Sequence, residues 1–320
     1  MKLKRLLCVL LSVLLLSSLM TACGDDGDAD GIVIAALFYD LANPVWAATG
    51  EAMIEYAMEE YGVELMLLGA ENNASIQVSQ MENVIEAGVD AIIVGGVDDN
   101  ALVDVIQRAK DAGITVIGYG TEPPGAHALY GVDNYNVGFE AGRRAAMWIN
   151  EMLDGEAEVA VLRFDEMEVL IERGDGIEDA LAQYAPNATI VARAHAADPV
   201  TGMSVTENIL TEHPNVKVIV CIGDGGGIGA NNAVKAAGLA TDQFGIFSVD
   251  ATEEAVRAII AGDPLRMSIG LGFYMERAIQ VIDLTMDVLE GRDFPPMVYT
   301  PVFAVDWNNA EQYAIDAGWD

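Results

Sequence analysis

Short uncharged runs rich in Val, Ile and Ala recur along this chain, and a helix-length segment of mixed polarity follows almost every one of them. An apolar run without polar alternation reads as a strand buried on both faces. Parallel neighbours need a crossover, so strands alternating with helices imply parallel sheets with helices packed on each side. Strands are expected in the first half of 31–50, at 63–68, 91–94, 114–119 and near Leu129, then at 158–164, 190–194, 216–221, 245–249, 267–271 and 300–305. Helices fill the gaps, among them 74–87, 101–111 and a long one ending near Leu153. With 320 residues, 52% of them hydrophobic, the chain can build a large core and two domains.

The chain also repeats itself. Glu82-Asn83-Val84-Ile85 has a counterpart in Glu207-Asn208-Ile209-Leu210, and Lys110-Asp111-Ala112-Gly113-Ile114 in Lys235-Ala236-Ala237-Gly238-Leu239, both displaced by 125 positions. Two matches at one offset imply two α/β lobes of similar wiring, each a doubly wound parallel sheet. A cleft between two such lobes encloses a small ligand and closes about a hinge.

The first strand is delivered straight into a helix start at Asn43-Pro44, where Asn suits the cap and Pro the first turn. The helix is expected to run from about Pro44 to about Tyr61. Ligands of open α/β sheets settle beyond the carboxyl ends of the strands. Phe38, Tyr39, Asp40, Asn43 and Trp46 crowd that lip. The alternative is that these aromatics only pack the first helix.

Ahead of this lies an export signal, with Lys2, Lys4 and Arg5 before an apolar run from Leu6 to Met20 and then Thr21-Ala22-Cys23. The run is shorter than the roughly 20 apolar residues of an ordinary spanning helix. Cys23 directly after a small residue resembles the bacterial lipoprotein signal, which implies cleavage after Ala22, lipid attachment at Cys23 and a location outside the cytoplasm at a membrane. Residues 23–30, acidic and glycine-containing, read as a flexible tether. Three of the 16 Lys and Arg lie in the signal and none of the 50 Asp and Glu, so the exported chain carries about 37 net negative charges. Such a field repels nucleic acid and anionic lipid. Of the three cysteines, Cys8 lies in the signal, Cys23 is the anchor and Cys221 sits alone in an apolar strand, a small core residue.

Six short stretches in order carry a family resemblance: Asn43-Pro44-Val45-Trp46 after the first strand, Ala91-Ile92-Ile93-Val94, Ala112-Gly113-Ile114-Thr115-Val116-Ile117, Val132-Asp133-Asn134 with Gly138, Arg173-Gly174-Asp175-Gly176, and Ser248-Val249-Asp250. With these, residues 31–295 resemble the type I bacterial solute-binding proteins of the ribose- and galactose-binding cluster. The resemblance implies a periplasmic-binding-protein-like I fold, two lobes joined by three crossings near Val132, Ile269 and Phe294. The first lobe would comprise 31–132 plus 269–294, the second 133–268 plus 295–320. It further implies capture of a sugar or sugar-like molecule outside the cytoplasmic membrane and delivery to the permease of an ATP-driven (ABC) importer.

Within that resemblance Asn43 matches a position that hydrogen-bonds ligand hydroxyls and Trp46 one where an aromatic stacks on a sugar face. Arg173 matches an arginine reaching the ligand from the second lobe and Asp250 a carboxylate accepting hydroxyl protons there. Arg173 could instead be a surface charge beside Glu172 and Asp175, and Asp250 a cap for the helix beginning at Thr252. Four positions depart from the ribose binders. Gly120-Thr121 stands where they carry Asp-Arg, Gly223-Asp224 where they carry Asn before Asp, Leu271 where they carry Gln, and Pro199 where they carry the second stacking aromatic. Losing that many hydrogen-bonding groups argues against ribose itself. Phe38, Tyr39, Thr121, Asp224 and Leu271 are the candidate replacement contacts.

Other chemistry finds less support. Gly223-Asp224-Gly225-Gly226-Gly227-Ile228-Gly229 fits neither G-x-G-x-x-G nor the phosphate loop ending in G-K-S/T. His127, His195 and His213 lack metal spacing, and no G-x-S-x-G elbow occurs. Asp98-Asp99 reads as a solvated helix start. The expectation is a monomeric, cofactor-free, lipid-anchored binding protein and not an enzyme. The competing readings are a sensory module that presents its bound form to a membrane receptor, and a secreted carbohydrate-acting enzyme, disfavoured for want of a catalytic constellation.

Overall fold

The computed structural model describes residues 31–319 other than 43. The export signal, Cys23, the tether and the Asn43 cap and ligand contact lie outside the described residues.

The first lobe begins with β1 (Val33–Phe38), α1 (Pro44–Tyr56), β2 (Glu64–Gly69), α2 (Ala74–Ala87), β3 (Ala91–Val94), α3 (Asp99–Asp111), β4 (Thr115–Tyr119) and β5 (Ala128–Gly131). The second lobe follows with α4 (Asn134–Met152), β6 (Glu158–Arg163), α5 (Glu168–Tyr184), β7 (Thr189–His195), α6 (Pro199–Glu212), β8 (Val216–Cys221), α7 (Asp224–Ala236), β9 (Gly245–Val249), α8 (Glu253–Ile260) and β10 (Leu265–Gly270). The chain returns to the first lobe for α9 (Tyr274–Leu289) and β11 (Met297–Tyr299), then ends in the second with β12 (Phe303–Asp306) and α10 (Ala310–Asp316).

The first sheet has the order β11-β5-β4-β3-β1-β2 and the second β12-β10-β9-β8-β6-β7. Every pairing is parallel except that of β12 with β10. The first five strands of each lobe follow the same order, which gives the sequence repeat its meaning: its first match lies in α2 and α6, its second at the ends of α3 and α7. There Gly113 and Gly238 take left-handed φ of 83° and 70°, and each stops its helix at the same point of the same motif. The central strands are apolar throughout because helices cover both faces; Ala91 through Val94 are fully buried, as is Cys221.

The crossings differ in part from expectation. The first lies between Gly131 and Asn134. The second lies beyond Gly270, because Ile269 still pairs with Val249 in the second sheet. The third falls between Tyr299 and Phe303 rather than near Phe294, because Met297–Tyr299 adds a parallel edge strand to β5. The 300–305 strand accordingly shortens to β12. The Thr300 hydroxyl donates to the Leu271 carbonyl at 2.8 Å and ties the second and third crossings together.

The first helix reaches Tyr61 as expected, but its last turn, Ala57–Tyr61, is a π-helix. That wider turn lets Tyr56 and Tyr61 both donate to Asp283 Oδ1 on α9, at 2.9 and 2.7 Å. At the start of α3, Asp98 caps Asn100 N as a solvated acid would, but Asp99 does not fit that reading. Its Oδ2 accepts from Glu122 N, its Oδ1 is buried, and burial raises its pKa.

Candidate functional site

The carboxyl ends of the two parallel sheets carry the residues that matter, since each strand there hands its chain to a loop and then to a helix start. In the first lobe an aromatic cluster forms. Phe38, the last residue of β1, packs against Trp46 and Tyr119 with both ring centroids 5.3 Å away. Trp46 stands edge-on to Tyr39 at 4.7 Å and to Tyr119 at 5.6 Å. Phe38 is fully buried and is the floor beneath Trp46 rather than a contact surface. Trp46 and Tyr39 remain partly open. Burial, with the Asp99 charge adding to it, pushes the Tyr39 hydroxyl up to about 12, so it stays a neutral donor. Gly120, at φ 73°, lets the chain turn beside the Tyr39 hydroxyl and the Trp46 ring. Thr121 has other work than the one expected of it. Its hydroxyl accepts from Gly96 N at 2.9 Å and joins the loops after β3 and β4.

In the second lobe Arg173 and Asp250 come together. Arg173, 8% exposed, donates through Nε and Nη2 to Asn134 Oδ1 and through Nη1 to the Ile222 carbonyl at 2.8 Å. Asp250 Oδ1 lies 3.6 Å from Nη1. Arg173 is therefore an interior group and not the surface charge that Glu172 and Asp175 suggested. It is held by the first crossing, where Asn134 opens α4. Close approach of α4 and α5 makes this possible, because a Cβ on Gly138 would overlap the Arg173 carbonyl.

Asp250 sits just past β9 at φ 107°, and Ala251 follows at φ 48°, conformations that cost energy for residues with a Cβ. The surroundings fix them. Asp250 N donates to the Ile269 carbonyl at 2.7 Å and Ala251 N to Ser268 Oγ at 2.9 Å. Asp250 does not cap α8. Thr252 occupies that cap position, and its N–H and hydroxyl donate instead to Asp224 Oδ2. Desolvation between the lobes pushes the Asp250 carboxyl up to about 7, against the pull of Arg173.

Asp224 was expected to contact ligand, but the structure engages it elsewhere. It is 1% exposed, Oδ1 accepts from Ser248 and Ser268, and Oδ2 accepts twice from Thr252. It holds the loop bearing Asp250. Leu271 lies at the second crossing, where its carbonyl accepts from Thr300 and from Arg277 Nε at 3.1 Å. Pro199 begins α6 and brings no aromatic. The ring near that edge is Phe164, just past β6 and 4.5 Å from His195.

Arg277, in the first turn of α9, was not foreseen. Burial raises the pKa of Tyr119 in the first lobe and of Asp250 in the second, and the Arg277 charge opposes both rises while its guanidinium hydrogen-bonds the Tyr119 hydroxyl, so it links the two clusters. A cavity of about 750 Å³ opens between α1 and the loop after β9, with Asp250, Leu271, Phe273, Arg277, Tyr313 and Trp319 in its wall. The nearest sequence signal was a lone cation behind Phe273-Tyr274 at a strand-to-helix junction. Among the described residues no His, Cys, Asp and Glu cluster could hold a metal ion, and no helix is long and apolar enough to cross a membrane.

Comparison with known proteins agrees with this geometry. Residues 34–293 match the family model described as periplasmic binding protein domain. The chain is 26% identical to the ribose import binding protein of Bacillus subtilis over 233 residues, covering 69% of this chain and 74% of that one. It is 28% identical to a xylitol-binding protein of Mycolicibacterium smegmatis over 259 residues, 79% of this chain and 72% of that one. Among solved structures, a solute-binding protein of Actinobacillus succinogenes with bound D-allose is similar at a TM-score of 0.73 and 26% identity, over 88% of this chain and 100% of that one. Two like-wired lobes, three crossings and a polar and aromatic cleft between them accompany a family match across most of the described residues, and the chain belongs to the periplasmic binding proteins, type I, of the ribose-binding-like cluster.

Proposed function

We propose that this protein captures a sugar or sugar-like polyol between its lobes outside the cytoplasm and hands it to the permease of an ABC importer. The observation that carries this is an aromatic cluster of Trp46 and Tyr39 at the strand ends of one lobe and the Arg173–Asp250 pair at the strand ends of the other. A sugar offers an apolar C–H face and a rim of hydroxyls. Aromatic rings take the face, while an arginine and a carboxylate take the rim by charge-assisted bonds. Relatives whose names give ribose, xylitol and D-allose as ligands support the carbohydrate class. The Lys-Arg start, apolar run and Ala22-Cys23 support a carrier tethered by lipid at Cys23. In this reading the protein binds and releases its cargo unchanged.

A thermal-shift panel of monosaccharides, polyols, nucleosides and small acids on the purified protein tests this. A ligand at 100-fold its Kd stabilises the folded state by roughly 2.7 kcal/mol. The expected result is a shift with one carbohydrate class, lost in Trp46→Ala and Arg173→Ala. A shift confined to nucleosides or to non-sugar acids would overturn the carbohydrate class.

A further inference from the structure

Ten arginines lie among the described residues, and seven of them form ion pairs with carboxylates. In a chain with 50 acidic and 16 basic residues, an arginine without such a partner is the exception. Three are left. Arg266 donates to the carbonyls of Phe244 and Thr241, and Arg144 lies beside it in a groove of the second lobe away from the cleft. The third is Arg277, in the wall of the cavity between the lobes.

Its setting is built rather than incidental. Nε is fixed by the Leu271 carbonyl at the second crossing and the Tyr119 hydroxyl takes a further N–H of the guanidinium, which leaves the remaining N–H groups without a protein carboxylate. Asp250 is already engaged with Arg173 at 3.6 Å, and Asp224 has both oxygens taken inside the second lobe. Across the same cavity Phe273 stacks on Tyr313 at 4.8 Å, and Tyr313 meets Trp319 edge-on at 5.6 Å. An aromatic wall, a carboxyl group and a guanidinium with no carboxylate partner therefore line one space.

We propose that Arg277 receives a carboxylate on the ligand, so that the cargo is a sugar acid rather than a neutral sugar. The proposal rests on the carbohydrate reading of the cleft and names the ligand class within it. A carboxylate would pair with the remaining N–H groups of the guanidinium by charge-assisted bonds, Asp250 takes hydroxyls, and the aromatic wall takes the C–H face. A single negative charge suits the site better than a phosphate dianion, because Glu51, Glu55 and Asp316 also line the cavity.

The test is calorimetric titration of the protein with D-galacturonate against D-galactose, and D-glucuronate against D-glucose. The acid of at least one pair is expected to bind about tenfold or more tightly than its neutral partner. In Arg277→Gln that preference collapses, and Arg277→Lys restores part of it. The preference of the unaltered protein also weakens as salt rises from about 0.05 to about 0.5 M. Neutral sugars binding as well as their acids would overturn the proposal while leaving the carbohydrate reading in place. Binding of simple carboxylates such as succinate with no sugar of either kind would sink the carbohydrate reading and keep the role of Arg277 as an anion receptor. Failure of every acid to bind overturns the proposal outright.

Discussion

Arg173 lies 3.6 Å from the carboxylate of Asp250 while its shorter hydrogen bonds go to Asn134 Oδ1 and the Ile222 carbonyl. The arginine is thus anchored by a hinge residue and a strand end, and the aspartate is the looser partner. A ligand hydroxyl can enter between them without displacing the anchors. A buried guanidinium already supplied with acceptors also needs little reorganisation on binding.

The position of Asp250 makes the empty protein sensitive to pH. Its folded pKa of about 7 stands above the ordinary carboxylate value of about 3.9. Between those values the folded state keeps a proton that the unfolded chain has lost. The stability from that proton is full below about pH 4 and gone above about pH 7. With 41% of the side chain open to water, its size is on the order of 1 kcal/mol. The Tm of the unliganded protein is expected to fall as pH rises from about 5 to about 7.5, less steeply in Asp250→Asn. Equal slopes in the two proteins would refute this.

Trp46 carries the first lip. Trp46→Ala should weaken ligand affinity about tenfold or more and cost about 1–2 kcal/mol of stability, since the ring also covers Phe38. Trp46→Phe should keep most of both. Calorimetry and denaturant melts separate the two effects, and an unchanged affinity in Trp46→Ala would remove this residue from the site.

Asp224 is a support, and its loss should be felt through Asp250. Asp224→Ala leaves the hydroxyls of Ser248 and Ser268 and the Thr252 N–H without their acceptor, at a cost of about 1–3 kcal/mol. The loop at Asp250 and Ala251 loses its brace, so affinity should drop as well. Hydrogen exchange at residues 250–252 is the direct readout, and protection equal to that of the unaltered protein would contradict this role.

Gly138 permits the helix contact that brings Arg173 inward. Gly138→Ala would drive a methyl group into the Arg173 carbonyl, which should destabilise the protein by about 1–3 kcal/mol and displace the guanidinium. A variant with normal Tm and normal affinity would show that α4 and α5 can move apart freely.

Much of the architecture was legible because it rests on local pattern. Fully buried strands such as Ala91–Val94 announce themselves by lacking polar residues, and the Glu82 and Lys110 repeats located equivalent helices in both lobes. Arg173 and Asp250 were singled out through resemblance, and their side chains lie 3.6 Å apart. The rest depended on contacts distant in sequence. Asp224 reads as a cleft acid in sequence, but three hydroxyls and an amide from β9, β10 and the Thr252 cap of α8 surround it. Asp99 read as solvated because its neighbour Asp98 is, until the loop after β4 folds over it. Arg277 has no motif, and its meaning comes from the crossing that sets α9 beside both lobes. Met297–Tyr299 is three residues long, too short for any period to reveal.

The wiring of the first lobe bears on how the chain is made. Its first five strands are synthesised by residue 131, but the helix that covers β3 and β4, α9, and the edge strand β11 come only after the whole second sheet but its last strand. Ala278, Val281, Ile282 and Leu284 of α9 are buried in the first core, so until they emerge that core lies open on one side. A nascent chain of this design completes the first half only with β11 and the second only with β12 and α10 just after it. Both cores thus stay unfinished until the C-terminal elements have been delivered.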